Sequence, residues 1–186
     1  MKRIGYGQVE PNHLSAQRNG QIYAQNVWDS AMWDELENGM FLCPAANKGL
    51  NLPADDIVME PLLVYNEVKT YDARESYKDF ALKKSDSIDG KLYPRLFKTA
   101  IGDIFTTNTL TGSGGSNDKN SATKIAETLG DNIPAVGNYV IVSPSGYLSA
   151  VGMSEPADPK RDMLWIVIEK TTMPDGQGAV KLQRVR

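Results

Sequence analysis

Hydrophobic and polar positions alternate over much of the chain, a period of two that predicts short β-strands. Leu62, Val64 and Val68 interleave with Tyr65, Glu67 and Lys69. Residues 92–99, 103–107 and 139–142 are further short β-prone runs. The most apolar run, residues 163–168, predicts a central strand buried on both faces, with Trp165 in the core. Residues 179–185 set Val180 and Leu182 against Lys181 and Gln183, as a half-exposed closing strand would. Pro174, Gly176 and Gly178 supply a tight turn between these last two runs, so they should form a hairpin.

Three stretches read as helical. Trp28, Met32 and Leu36 recur every four residues with Ala31 beside them. That spacing favours a short helix over residues 27–37, ended by Asn38 and Gly39. Its rival is a strand entering a turn at residues 37–40. Asp72 to Glu75 resembles a capping box ahead of Tyr77, Phe80 and Ala81. Ala122, Ile125, Ala126 and Leu129 have helical spacing and stop at Gly130. The expected fold is mainly β: a sandwich or barrel of short antiparallel strands, with one to three short helices and an extended N-terminal arm.

Residues 1–26 differ from the rest. They are rich in Gln, Asn, Gly and Ser, and their apolar residues are too widely spaced to offset the entropy of ordering. The expected organisation is an arm over 1–26 and a β-rich body over 27–186, with a flexible glycine-rich loop at 111–120. Ile4, Tyr6, Val9, Leu14, Ile22 and Tyr23 are candidate anchors on a partner protein, with Trp28 and Trp33 next to them. Removing residues 1–24 is expected to leave the body folded while weakening assembly.

Composition narrows the function. At 186 residues the chain can bury a core without metal or disulfide staples. A net charge of −3 lacks the basic excess needed to neutralise many phosphates, which argues against nucleic acid as a partner. The single cysteine, Cys43, sits in the apolar run 40–43 and reads as a small buried side chain. One histidine, His13, and one cysteine do not make a zinc site. No run approaches the length of a membrane span, and the segment after Met1 lacks a secretory core, so the expected place of folding is the cytoplasm.

Catalytic patterns are weak. The loop after Thr111 has glycines but no Gly-Lys-Ser or Gly-Lys-Thr, so it is no P-loop. Ser145 lacks the Gly-x-Ser-x-Gly elbow. The clusters Asp34, Glu35, Glu37 and Asp55, Asp56 lack a calcium-loop frame. No catalytic residue, cofactor or metal ligand is therefore assigned, and the chain reads as a non-enzyme.

Several stretches together resemble a known class. They are residues 18–25, 36–41, 100–108, 136–140 and 170–177. In this order they resemble small structural proteins of tailed bacteriophages, of the capsid decoration, cement or head-fibre-like kind. The resemblance runs over most of the chain and implies a β-rich body with a polar N-terminal arm. It implies binding to the major capsid protein or other virion proteins, as a homo-oligomer, without a small-molecule substrate, nucleic acid or membrane. The implied location is the virion, assembled in the host cytoplasm. A tail, collar or head–tail completion component is the alternative within this class. A carbohydrate-binding or glycoside-cleaving domain, using exposed aromatics and paired carboxylates, is the alternative outside it.

Overall fold

A computed structural model describes residues 7, 9, 22–23, 27–29, 35–45, 49–53, 59–66, 81–83, 87–111, 133–156, 163–173 and 176–186. Within them the chain is mainly β, and no helix occurs among the described residues. In chain order the strands are β1 (Ile22–Tyr23), β2 (Trp28–Asp29), β3 (Glu35–Glu37), β4 (Phe41–Pro44), β5 (Leu50–Asn51), β6 (Leu62–Val64), β7 (Ala81–Lys83) and β8 (Lys91–Leu92). They continue with β9 (Leu96–Phe97), β10 (Ile104–Thr107), β11 (Leu110–Thr111), β12 (Tyr139–Val142), β13 (Leu148–Gly152), β14 (Leu164–Thr172) and β15 (Gly178–Arg184).

A six-stranded sheet has the order β10-β15-β14-β12-β13-β11. Its backbone is the predicted hairpin: β14 and β15 pair antiparallel from Trp165↔Arg184 to Thr172↔Gly178. Phe105, Leu182 and Val167 share one row and face the core, whereas Thr106, Lys181 and Glu169 form the next row on the other face. Lys181 and Glu169 make an ion pair there at 3.3 Å. β14 is internal, as expected, and Leu164 and Trp165 are fully buried. A register shift between Val167 and Glu169 then turns the strand outward, and Ile168 is exposed. Burial on both faces thus holds only for the first part of the predicted run.

The second sheet is five-stranded, β1-β9-β6-β4-β5. Its central strands feed two hydrophobic clusters by alternation. Phe41 and Leu63 enter one cluster with Phe105, Trp165, Val167 and Leu182. Met40, Leu42, Leu62 and Val64 enter the other with Trp28, Leu36 and Leu92. A strand buried on both faces needs no polar alternation. That explains the unbroken apolar runs 40–43 and 62–64 and places Cys43 at full burial. The two-stranded pairs β2–β8 and β3–β7 supply Trp28, Leu92 and Leu36 to the second cluster. The sheets are joined where the Phe41 amide donates to the Gly146 carbonyl at 2.7 Å, at the β12–β13 turn.

The helix expected over 27–37 is corrected to strands. Trp28 pairs with Leu92 in β2–β8, and Leu36 pairs with Leu82 in β3–β7; residues 30–34 lie outside the described residues. A spacing of four keeps side chains on one face of a strand as well as of a helix, so the pattern could not separate them. The rival reading, a turn at 37–40, is what forms: the Met40 amide donates to the Glu37 carbonyl at 3.3 Å, and Gly39 has φ +92°. This turn is a corner between sheets, because β3 pairs with β7 while β4 pairs with β5 and β6. The capping-box stretch 72–80 and the helical pattern at 122–129 lie outside the described residues, and Ala81 is in strand β7.

Gly39→Ala should be costly. Its Cβ would collide with the hydroxyls of Thr107 and Thr109, and left-handed φ alone costs an L-residue roughly 1–2 kcal/mol. We expect a loss of at least about 2 kcal/mol, read as a lower urea midpoint at unchanged slope. A loss below about 0.5 kcal/mol would mean that the corner is not built this way.

Candidate interaction site

The run Thr106-Thr107-Asn108-Thr109 follows Phe105 directly and is entirely buried. Buried hydroxyls and amides require partners, and here those partners join the two sheets. The Thr109 hydroxyl donates to the Asn38 carbonyl at 2.9 Å, and its amide donates to the Thr107 hydroxyl at 3.0 Å. The Leu148 amide donates to the Thr109 carbonyl at 3.2 Å. On the other side of the corner, the Asn66 amide donates to the Asn38 side-chain oxygen at 2.7 Å, and Asn38 Nδ2 donates to the Asn66 carbonyl at 3.2 Å. The Arg95 amide donates to the Asn66 side-chain oxygen at 2.8 Å. The result is a polar seam through an otherwise apolar interior.

The N-terminal segment docks on this seam. The Gly7 amide donates to the buried Glu37 carboxylate at 3.0 Å. Val9 bridges antiparallel to Thr107, on β10, the edge strand of the six-stranded sheet. Its side chain is 5% exposed and belongs to the same cluster as Phe105 and Trp165. Further along, β1 adds to the five-stranded sheet through Ile22↔Phe97 and Tyr23↔Leu96. Of residues 1–26, the described ones touch the body: Gly7 through Glu37, Val9 through a single bridge to Thr107, and Ile22 and Tyr23 through β9.

The predicted anchors are placed as follows. Val9 and Trp28 are buried within the chain's own clusters. Ile22 and Tyr23 are placed by backbone pairing on β9. Ile4, Tyr6, Leu14 and Trp33 lie outside the described residues, as does the glycine-rich loop beyond Thr111. The structure brings Val9 together with Gly7, Glu37, Thr107 and Thr109, which sequence reasoning did not single out. The available signal was a row of short polar residues in a strand flanked by Phe105 and Leu110, a pattern that suits a buried hydrogen-bond network as well as an exposed strand face.

Cys43 is buried with its thiol 3.6 Å from the Met59 carbonyl. The hydroxyls of Ser143 and Ser145 bond each other at 2.7 Å, both buried. Among the described residues no group of three or more His, Cys, Asp or Glu is placed to hold a metal ion, and no helix is long and apolar enough to cross a membrane. Both described tryptophans, Trp28 and Trp165, are fully buried and contribute nothing to an exposed aromatic strip. Exposed large apolar side chains among the described residues include Met59, Ile88, Ile101, Val136 and Met153, the last packed near the turn at Gly137. Comparison with protein-family models, with curated proteins and with solved structures gives no match.

Proposed function

We propose that this chain is a non-enzymatic structural protein of a tailed-phage virion, a capsid decoration protein that binds the outer lattice of the major capsid protein. The observation that carries the reading is where the resembling stretches fall. Residues 36–41, 100–108 and 136–140 supply Phe41, Phe105 and Val140 to one hydrophobic cluster. The resemblance therefore concerns the framework of the fold. The two larger sheets, on this reading, close as a sandwich around that cluster. A protein that binds only the assembled shell stabilises it by mass action, and many weakly bound copies act together.

Purified particles test this directly. Quantitative mass spectrometry of virions should find the chain at on the order of hundreds of copies, with its density on the capsid surface. A count of about a dozen would move it to a tail or collar ring. Absence from particles, together with binding in a glycan screen, would replace the structural reading with a carbohydrate-binding one.

A further inference from the structure

We propose that Asn38 and Gly39 form a latent modification site, which the corner between the sheets holds shut and which reacts when the corner opens. An asparagine followed by glycine loses its side-chain amide without an enzyme. The Gly39 amide nitrogen gives its proton to solvent and attacks Asn38 Cγ. A bond forms from that nitrogen to Cγ, closing a five-membered imide, and the bond from Cγ to Nδ2 breaks, so that Nδ2 leaves as ammonia. Water then opens the imide at one carbonyl or the other, giving aspartate or isoaspartate. Glycine favours the attack because it has no Cβ to restrict the backbone or shield its nitrogen. The step needs the nitrogen and Cγ free to come together in line.

The native corner denies that freedom to both groups. The Gly39 amide donates to the Val64 carbonyl at 2.9 Å. The Asn38 side chain is fixed at both ends by Asn66: its oxygen accepts from the Asn66 amide at 2.7 Å, and its nitrogen donates to the Asn66 carbonyl at 3.2 Å. The Asn38 carbonyl accepts from the Thr109 hydroxyl at 2.9 Å, and the residue is only 8% exposed, which keeps water and base away. Reaction is therefore confined to molecules whose corner has opened, locally or with the whole fold. Once it has occurred, the corner does not close as before. In aspartate an oxygen replaces the donating nitrogen, so acceptor faces acceptor at the Asn66 carbonyl and a charge is buried. Isoaspartate adds a methylene to the main chain at a place where even a Cβ on Gly39 would lie 2.8 Å from the Thr107 hydroxyl. One chemical event thus makes a reversible opening permanent. The inference stands on the hydrogen bonds of the corner and is independent of what the chain binds.

The test uses the purified full-length chain, held folded or in guanidinium chloride in the same mildly alkaline buffer and followed by peptide mapping with mass spectrometry. Asn19 is also followed by a glycine and serves as the reference in denaturant. Asn38 and Asn19 should convert at similar rates there. In the folded chain Asn38 should convert at least about tenfold more slowly than in denaturant, a protection of about 1.4 kcal/mol or more. Equal rates at Asn38 in the two states would mean that the corner gives no protection. Conversion of Asn19 without conversion of Asn38 in denaturant would mean that the site does not exist. Either result overturns the proposal. Thr109→Val removes the hydroxyl that holds the Asn38 carbonyl, and should raise the folded-state rate at Asn38 by roughly two- to tenfold while leaving the rate in denaturant unchanged. An unchanged folded-state rate in that variant would detach the gate from these bonds and refute it. Dilution of a partly converted sample out of denaturant gives a further reading on unsubstituted protein. Chains converted at Asn38 should be depleted from the refolded fraction, and their recovery there at full share would show that the corner closes regardless.

Discussion

Trp165→Ala is expected to destabilise the protein by about 3–5 kcal/mol, the usual cost of removing a large, fully buried aromatic. Trp165 lies in β14 between Val140 and Arg184 of the flanking strands. Its ring meets Phe105 edge-on at 4.8 Å and Phe41 at 6.0 Å, so it joins the six-stranded sheet to the five-stranded one. The substitution would remove both aromatic contacts and leave a cavity shared by the two sheets. Equilibrium urea unfolding, followed by far-UV circular dichroism, would measure the loss. A change under about 1 kcal/mol would place the residue outside a packed core. Trp165→Phe should cost less. Among the described residues the buried indole nitrogen has no hydrogen-bond partner, so losing it removes no hydrogen bond that they make.

Arg184→Met is expected to cost about 2–4 kcal/mol, for a different reason: it strands hydrogen-bonding groups while keeping an apolar stem. Arg184 sits in β15, and its guanidinium is buried. It donates to the Glu60 carboxylate at 2.6 Å, to the carbonyl and hydroxyl of Thr99, and to the Arg186 carbonyl at 2.9 Å. One side chain thereby ties the six-stranded sheet to the segments that precede β6 and follow β9. Glu60 is itself about one-third exposed and also pairs with Lys98 at 3.2 Å, so Glu60→Gln should cost much less than the loss of the arginine. A double-mutant cycle of the two would give the pairwise energy, with a coupling of roughly 0.5–2 kcal/mol. An Arg184→Met variant as stable as the parent would show that the guanidinium is solvated.

Local pattern was enough where the partner of a strand is its neighbour in sequence. The β14–β15 hairpin carries its own turn residues and its own alternation, with Val180 and Leu182 inside and Lys181 and Gln183 half exposed. The bounds of β12 were legible in the same way, as was the burial of Cys43 and Trp165. Where pairing is distant, the pattern was ambiguous. The apolar residues at 28 and 36 suit either a helix or a strand, and it is Leu92 and Leu82, far along the chain, that decide for strands. The parallel pairing of β11 with β13 has no local signature at all, since the two strands are separated by a long connection.

The candidate site divides along the same line. Sequence alone determined that Val9 is an apolar residue in a polar stretch, that Asn38 and Gly39 end an element, and that the body is built from short strands with a central hydrophobic run. These follow from side-chain period and turn chemistry, which act over a few residues. Only the tertiary structure decided that Val9 occupies the chain's own core, that the turn at Gly39 passes the chain from one sheet to another, and that the polar run 106–109 lines the seam where Gly7 docks. Those outcomes depend on which distant groups satisfy a buried amide or fill a gap. That is a property of the assembled core, because most buried polar groups rely on partners that only the fold brings to them.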